Sequence, residues 1–285
     1  MKKGSGPHAA WQELKLEAKR RPRVTAVYLI LRLIVLVTMV SAILRQEYES
    51  VFICLLVLGL FLLPVFLQKK FRFELPDTLE IIILLFIFAA EILGELQCYF
   101  VEYPHWDTML HTTSGFLAAA VGFSLVDLLN RDAKIKFQLS PLYVAIAAFC
   151  FAMTVGVLWE FFEFTADQVM HTDMQKDYVV REVNTVSLNP DGLNVPVHVQ
   201  IESVSVNGED WTEQLGGYLD IGLIDTMKDL QVNCIGAIAF SIIGFFYVKH
   251  RGKGKLAAAL IPVVLDPEKE KSKRVSDTIY RYWCV

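Results

Sequence analysis

Six stretches of this 285-residue chain are apolar over close to the length that crosses a bilayer: Val24 to Leu44, Val51 to Leu67, Thr78 to Phe100, Thr108 to Leu129, Leu142 to Phe164 and Thr226 to Val248. About 20 mostly apolar residues are needed to span the hydrocarbon as a helix. Backbone facing lipid must satisfy its own polar groups, so each stretch is expected as a helix. Composition agrees, with 54% hydrophobic and 20% charged residues, against roughly 45–50% and 25% in soluble domains. That balance excludes a disordered, collagen-like or disulfide-rich secreted chain. A net charge of −4 gives nucleic-acid binding no electrostatic support. Cys54, Cys98, Cys150, Cys234 and Cys284 are scattered with no CxxC pair, which speaks against a disulfide framework or a zinc finger. The expected fold class is an all-α polytopic membrane protein, a six-helix transmembrane bundle with a small external β-hairpin loop.

Lys and Arg flank these spans unevenly. The N-terminal segment, the loops after spans two and four and the tail from Lys249 hold 22 of them, against 3 in the alternate connections (Arg45, Lys176 and Arg181). The positive-inside rule then places both termini in the cytoplasm, the expected location being a bacterial cytoplasmic membrane. Val40-Ser41-Ala42 resembles a signal-cleavage site, but the preceding run is too long for a signal peptide and contains Arg32, so span one is read as retained. Arg32 itself is expected to snorkel or face the bundle.

Three parts follow: a basic interfacial segment over 1–23, the membrane domain over 24–248, and a cytoplasmic tail over 249–285. In the first, Trp11, Leu14 and Ala18 form an apolar stripe beside basic residues, suited to anionic lipid. Leu256 to Leu265 is too short to span and is read as an interfacial or packing segment. Within the external loop at about 168–219, Val195, Val197, Val199 and Ile201 alternate with polar residues, a strand pattern. Asn189-Pro190-Asp191-Gly192 and Asn207-Gly208 are turn signals, so a hairpin or three-stranded flap is expected.

The ionisable residues inside the spans are patterned. Span three carries Glu91 and Glu95; span four opens with Asp107 and His111; span five ends with Glu160, Glu163 and Asp167; span six opens with Asp225, Asp229 and Asn233. Residues three or four apart share a helix face. Spans three and five run outward and spans four and six inward, so all four stripes land in the outer half of the membrane. Lys228 falls off the Asp225–Asp229 stripe, leaving the acids without a cation at that depth. Buried carboxylates need compensation, and a divalent metal supplies it. Carboxylates with one imidazole suit Zn, Mn or Fe, or Mg or Ca with the His standing back. The expected ligands are Asp107, His111, Glu160, Glu163, Asp225 and Asp229. Glu160 and Asp229 are the candidate catalytic bases, with Glu91, Glu95, Asp167 and Asn233 as secondary candidates.

Plainer readings stand beside these. Asp107 and Asp225 suit helix N-caps, Glu163 and Asp167 suit a solvated helix end, and Glu91 or Glu95 suits an interhelical hydrogen bond. Trp106, Trp159, Tyr99 and Tyr103 fit the external aromatic belt.

Asp107-Thr-Met-Leu-His111, Trp159-Glu160-Phe-Phe-Glu163 with Asp167, and the block from Gly222 through Asp225, Asp229 and Asn233 to Gly236-Ala237 resemble the YjdF-like family of bacterial inner-membrane proteins, over spans two to six. That family is functionally uncharacterised, so the resemblance implies a fold and shared positions rather than a reaction. The Asp-x-x-x-His helix and Asp229-x-x-x-Asn233-x-x-Gly236 are more loosely similar to VanZ-like proteins, which implies a cell-envelope setting. The long external loop and the basic N-terminal segment depart from that pattern.

Three functions are compatible with this reading: a metal-dependent enzyme on a lipid or envelope-linked substrate, a cation- or proton-coupled transporter, and a non-catalytic membrane module. Membrane lipid is the expected partner and nucleic acid is not; oligomeric state is not legible.

Overall fold

The computed structural model describes residues 19–71, 73–131, 139–250, 259–261 and 263–264. The basic stripe before residue 19, Lys134 and Lys136, and the charged tail beyond 264 lie outside the described residues. The chain is mostly helical: α1 (Pro22–Arg45), α2 (Tyr48–Leu60), α3 (Leu63–Phe71), α4 (Asp77–Phe88), a π-helix (Ala89–Leu96), α5 (Tyr99–Glu102), α6 (Trp106–Arg131), α7 (Pro141–Met170), α8 (Thr212–Leu215) and α9 (Leu223–Lys249). Among the described residues, eight two- to four-residue strands accompany them: β1 (Phe73–Glu74), β2 (Val179–Val180), β3 (Glu182–Thr185), β4 (Val197–Gln200), β5 (Ser205–Val206), β6 (Glu209–Asp210), β7 (Tyr218–Leu219) and β8 (Val263–Val264).

Local chemistry explains the boundaries. α7 opens on Ser140, whose Oγ accepts the Tyr143 N–H at 3.2 Å, with Pro141 at the first helical position. α1 begins on Pro22 and ends at Gln46, a left-handed residue with φ 62°. Between α2 and α3 the helix is interrupted at Phe61-Leu62, because Pro64 lacks the N–H that the Leu60 carbonyl would accept.

Among the described residues, five helices are long and apolar enough to cross a membrane: Pro22–Arg45, Tyr48–Gln68, Trp106–Asp127, Pro141–Met170 and Leu223–Lys249. The sixth expected span is not one long α-helix. α4 has 12 residues and runs straight into the 8-residue π-helix. That geometry is rare over such a length, and it ends where Cys98 turns left-handed at φ 56°. Leu29, Leu33 and Val37 on α1, Phe161 on α7, and Ile235 and Ile242 on α9 all point outward and exposed. So large an apolar exterior is suited to lipid rather than water.

Among the described residues, two apolar clusters organise the interior. Leu31, Val35, Cys54, Val57, Phe61, Leu84, Ile87 and Ile92 join α1, α2, α4 and the π-helix. Ala119, Ala120, Phe123, Val144, Ala148, Ala152, Ala237 and Phe240 join α6, α7 and α9. Leu260 and Ile261 fold back into that second cluster, and β8 just beyond them pairs antiparallel with β1. Of the run read as an interfacial or packing segment, the described residues therefore pack against the bundle. Arg32 stacks over the Tyr28 ring at 4.2 Å and donates to its hydroxyl at 2.8 Å, so it faces the bundle.

α6, α7 and α9 approach closely because small residues line their contact. A Cβ on Gly236 would lie 1.9 Å from the Thr112 carbonyl oxygen, and one on Gly115 would lie 2.1 Å from that of Asn233.

The connection from α7 to α9 forms small hairpins, as its alternation and turn residues predict. β3 pairs antiparallel with β4, from Glu182 opposite Gln200 to Thr185 opposite Val197, and β5 pairs with β6. Asn207 and Gly208 join the latter pair with φ 53° and 88°, the positive values that a two-residue type I′ turn requires. β2 and β7 pair where the connection leaves and re-enters the bundle. There Asp220 accepts from the backbone N–H of Tyr178 (2.8 Å), Gly222 (3.3 Å) and Ile224 (2.9 Å), tying β2 to the start of α9. Burial pushes the Asp220 carboxyl up, but those three donors outweigh it and hold the group below its usual range.

Two outcomes follow. Gly59 has nothing within 4 Å of its missing Cβ. In thermal unfolding of the detergent-solubilised protein, Gly59→Ala is expected to be neutral or stabilising by up to about 1 kcal/mol. Gly236→Ala is expected to lose about 1–3 kcal/mol; equal behaviour of the two would contradict the close helix contact. Second, because the folded pKa of Asp220 is depressed, its contribution is present above the unfolded value near ~3.9 and is lost as pH falls through the folded pKa. Hydrogen exchange at the Tyr178 and Ile224 amides, corrected for intrinsic rate, should be slow at neutral pH and accelerate below that range. Asp220→Ala should exchange fast at all pH values; unchanged protection in that variant would remove Asp220 from this role.

Candidate metal centre

The polar stripes converge where α6, α7 and α9 meet, toward the hairpin end of the bundle. His111 is five residues into α6, Asp229 six residues into α9, and Glu160 ten residues before the end of α7. At 1.5 Å per residue, each lies about 8–15 Å below that end. The His111 ring is at the centre, its side chain only 11% exposed. Its Nε2 lies 3.4 Å from Asp107 Oδ1 and 3.9 Å from Asp229 Oδ2, and its Nδ1 lies 3.8 Å from Glu160 Oε1. Two donor groups result, Asp107–His111–Asp229 and His111–Glu160–Glu163, each with its ligating atoms within 4.8 Å of one another. Glu160, Glu163 and Asp229 are buried, while a third of the Asp107 side chain is open.

The remaining acids are used differently. Asp225 is buried on the same face of α9 as Asp229, but its Oδ2 accepts the backbone N–H of Lys176 at 2.8 Å rather than capping its own helix. Asp167 accepts from Thr172 Oγ1 and from the N–H groups of Met174 and Gln175 at 2.7–2.8 Å, folding the chain back as it leaves α7. Asn233 is 2% exposed, its Nδ2 lying 3.7 Å from Met153 Sδ, and it fills the space below the cluster. Glu91 and Glu95 on the π-helix fall outside both donor groups, Glu95 being exposed.

Gln175, Thr226 and Trp159, none of which the sequence placed at the site, complete it. Gln175 is buried, and its Nε2 donates to Glu160 Oε2 and to the Glu160 carbonyl, both at 3.3 Å, and to Thr226 Oγ1 at 2.7 Å. Trp159, expected only as part of an aromatic belt, donates from Nε1 to Glu163 Oε1 at 2.8 Å. Tyr99, Tyr103 and Trp106 instead pack on one another, Tyr99 lying 4.6 Å from Tyr103 and 4.9 Å from Trp106 between ring centres. No periodicity marks Gln175, which lies in an irregular segment; the i, i+4 spacing of Trp159 and Glu163 was a usable signal.

No Lys or Arg pairs with the cluster among the described residues. Lys228 lies over the Tyr178 ring at 3.5 Å, and Lys176 pairs with exposed Asp173. Four carboxylates and one imidazole thus share a mostly buried space, with donors available to a divalent ion from three helices.

Residues 26–250 match the model of a family described as "Predicted membrane protein (DUF2238)". An uncharacterised protein of Thermotoga maritima is 22% identical over 107 residues, 38% of this chain and 53% of that relative, so the chain spans about half the length of the curated relative. No solved structure matches. With the greater part of its length covered by the family model, the chain belongs to the DUF2238 family of predicted membrane proteins.

Proposed function

We propose that the His111 cluster binds a divalent metal, and that the protein is a metal-dependent enzyme acting on a lipid or envelope-linked substrate at the outer face of a bacterial cytoplasmic membrane. The donor set carries this reading: His111 surrounded by Asp107, Glu160, Glu163 and Asp229, with no basic side chain to neutralise them among the described residues. Uncompensated buried charges cost several kcal/mol each. A mixed carboxylate–imidazole site suits Zn, Mn or Fe, and Mg or Ca where oxygens dominate.

A divalent ion held there supplies Lewis acidity. The chain's part is to fix the donors on three packed helices, to admit a headgroup past the partly exposed Asp107, and to accept a proton on a carboxylate left unligated. Of the two candidate bases, Glu160 and Asp229, the one not ligated would serve. Below the cluster, Ala119, Phe123, Ala148, Ala152 and Phe240 fill the bundle. That packing favours a site open to one side over a path running through to the other.

The Lys and Arg distribution orients this site. With both termini cytoplasmic the number of crossings is even, so α4 and the π-helix together make the sixth crossing in this reading, and the hairpins lie outside. Kinship with YjdF-like and VanZ-like proteins rests on the Asp107-x-x-x-His111 and Asp229-x-x-x-Asn233-x-x-Gly236 motifs and belongs to the same proposal.

Elemental analysis of the detergent-purified protein tests it. Stoichiometric metal is expected in the wild type and is expected to be lost in His111→Ala and Asp229→Ala that elute and unfold as folded protein. A wild type that takes up no divalent ion after loading would end the metalloenzyme reading.

A further inference from the structure

The His111 ring faces two carboxylate sets with two different nitrogens, Nε2 toward Asp107 and Asp229, and Nδ1 toward Glu160. A neutral imidazole has one lone pair and one N–H, so it ligates an ion on one side and donates on the other. Resting on the metal reading above, we propose that the ion is held by Asp107, His111 Nε2 and Asp229, while Glu160, itself held by Gln175 of the hairpin connection, positions the ring by accepting its Nδ1–H.

Three observations choose the side. First, the glutamates are already engaged: Glu160 Oε2 accepts from Gln175 and Glu163 Oε1 from Trp159. The oxygen of Glu160 that faces His111 is the other one, Oε1, so one carboxylate bridges ring and amide.

Second, Asp229 is only 4% exposed, yet among the described residues no donor hydrogen-bonds to its carboxylate; the imidazole at 3.9 Å is its neighbour. A buried carboxyl without a hydrogen-bond partner is rare and needs one, and an ion between Asp107, Nε2 and Asp229 is that partner. The partial exposure of Asp107 keeps this side reachable for the ion and for a further ligand.

Third, a metal-bound imidazole whose other N–H is held by a carboxylate is a recurring arrangement that fixes tautomer and ring orientation. Here the carboxylate's own anchor comes from outside the helices. The segment after α7 is drawn in by Asp167 at the Met174 and Gln175 amides and by Asp225 at the Lys176 amide, which seats Gln175 against Glu160. Gln175 is thus a positioning residue, and the hairpin connection sets metal affinity without contributing a ligand.

Zn²⁺ and Co²⁺ titration of the full-length protein in detergent tests the assignment. Asp107→Asn and Asp229→Asn, with unfolding temperatures measured alongside, are expected to lose stoichiometric binding. Glu160→Gln and Gln175→Ala are expected to keep a single equivalent at about 10- to 100-fold weaker affinity, with a shifted Co²⁺ ligand-field band. Glu163→Gln, which removes a nearby charge but no ligand in this assignment, is expected to keep a single equivalent at weakened affinity. Loss of binding in Glu163→Gln with normal binding in Asp107→Asn would place the ion on the Nδ1 side and overturn the assignment. Wild-type affinity and spectrum in Gln175→Ala would remove its positioning role, even if that variant were less stable. No binding by the wild type would instead overturn the metal reading itself.

Discussion

The structure depends on how closely α6, α7 and α9 approach. At Gly115 and Gly236 the neighbouring helix's backbone carbonyl lies where a side chain would begin. Contacts this close are the main source of helix association once both surfaces face hydrocarbon, because burying apolar area against lipid gains little. Asn233 sits in the same layer, its amide 2.5 Å from where a Gly156 Cβ would be. One helical turn toward the hairpins stand His111, four residues before Gly115; Glu160, four after Gly156; and Asp229, four before Asn233. The packing layer therefore determines the distances between the donors, and the cluster is a consequence of the contact beneath it.

The acids divide by what they touch. Asp167 and Asp220 spend their oxygens on backbone N–H groups at the two ends of the hairpin connection, and Asp225 on the N–H of Lys176. These three carboxylates fold the connection down onto the bundle, and Gln175 is the side chain so delivered. Asp107, Glu160, Glu163 and Asp229 face His111 instead. One loop and three helices thus form a single unit, in which Gln175 ties the connection to Glu160 beside the imidazole.

Much of this was legible in the sequence because it is periodic. Apolar runs of membrane-spanning length marked five helices, and the i, i+4 pairs Asp107–His111 and Asp225–Asp229 marked faces that the structure brings together. The Asn207-Gly208 pair marked its hairpin because few other residues accept two consecutive positive φ angles. The rest depends on partners distant in the chain. Gln175 gains its role only when Thr226, 51 residues away, closes over it. Asp225 shares a stripe with Asp229, yet a neighbouring amide claims it. Glu91 and Glu95 repeat at helical spacing, but they lie on a π-helix, whose turn is longer than the one that spacing assumes. Periodicity shows which face a residue occupies, whereas the neighbour across that face is set by tertiary contact.

X-ray absorption at the metal edge of the loaded, detergent-purified protein tests the central claim most directly. The account predicts a first shell with one imidazole nitrogen and carboxylate oxygens, the imidazole contribution vanishing in His111→Ala. A fully hydrated shell, or a wild-type shell of oxygens alone, would contradict it.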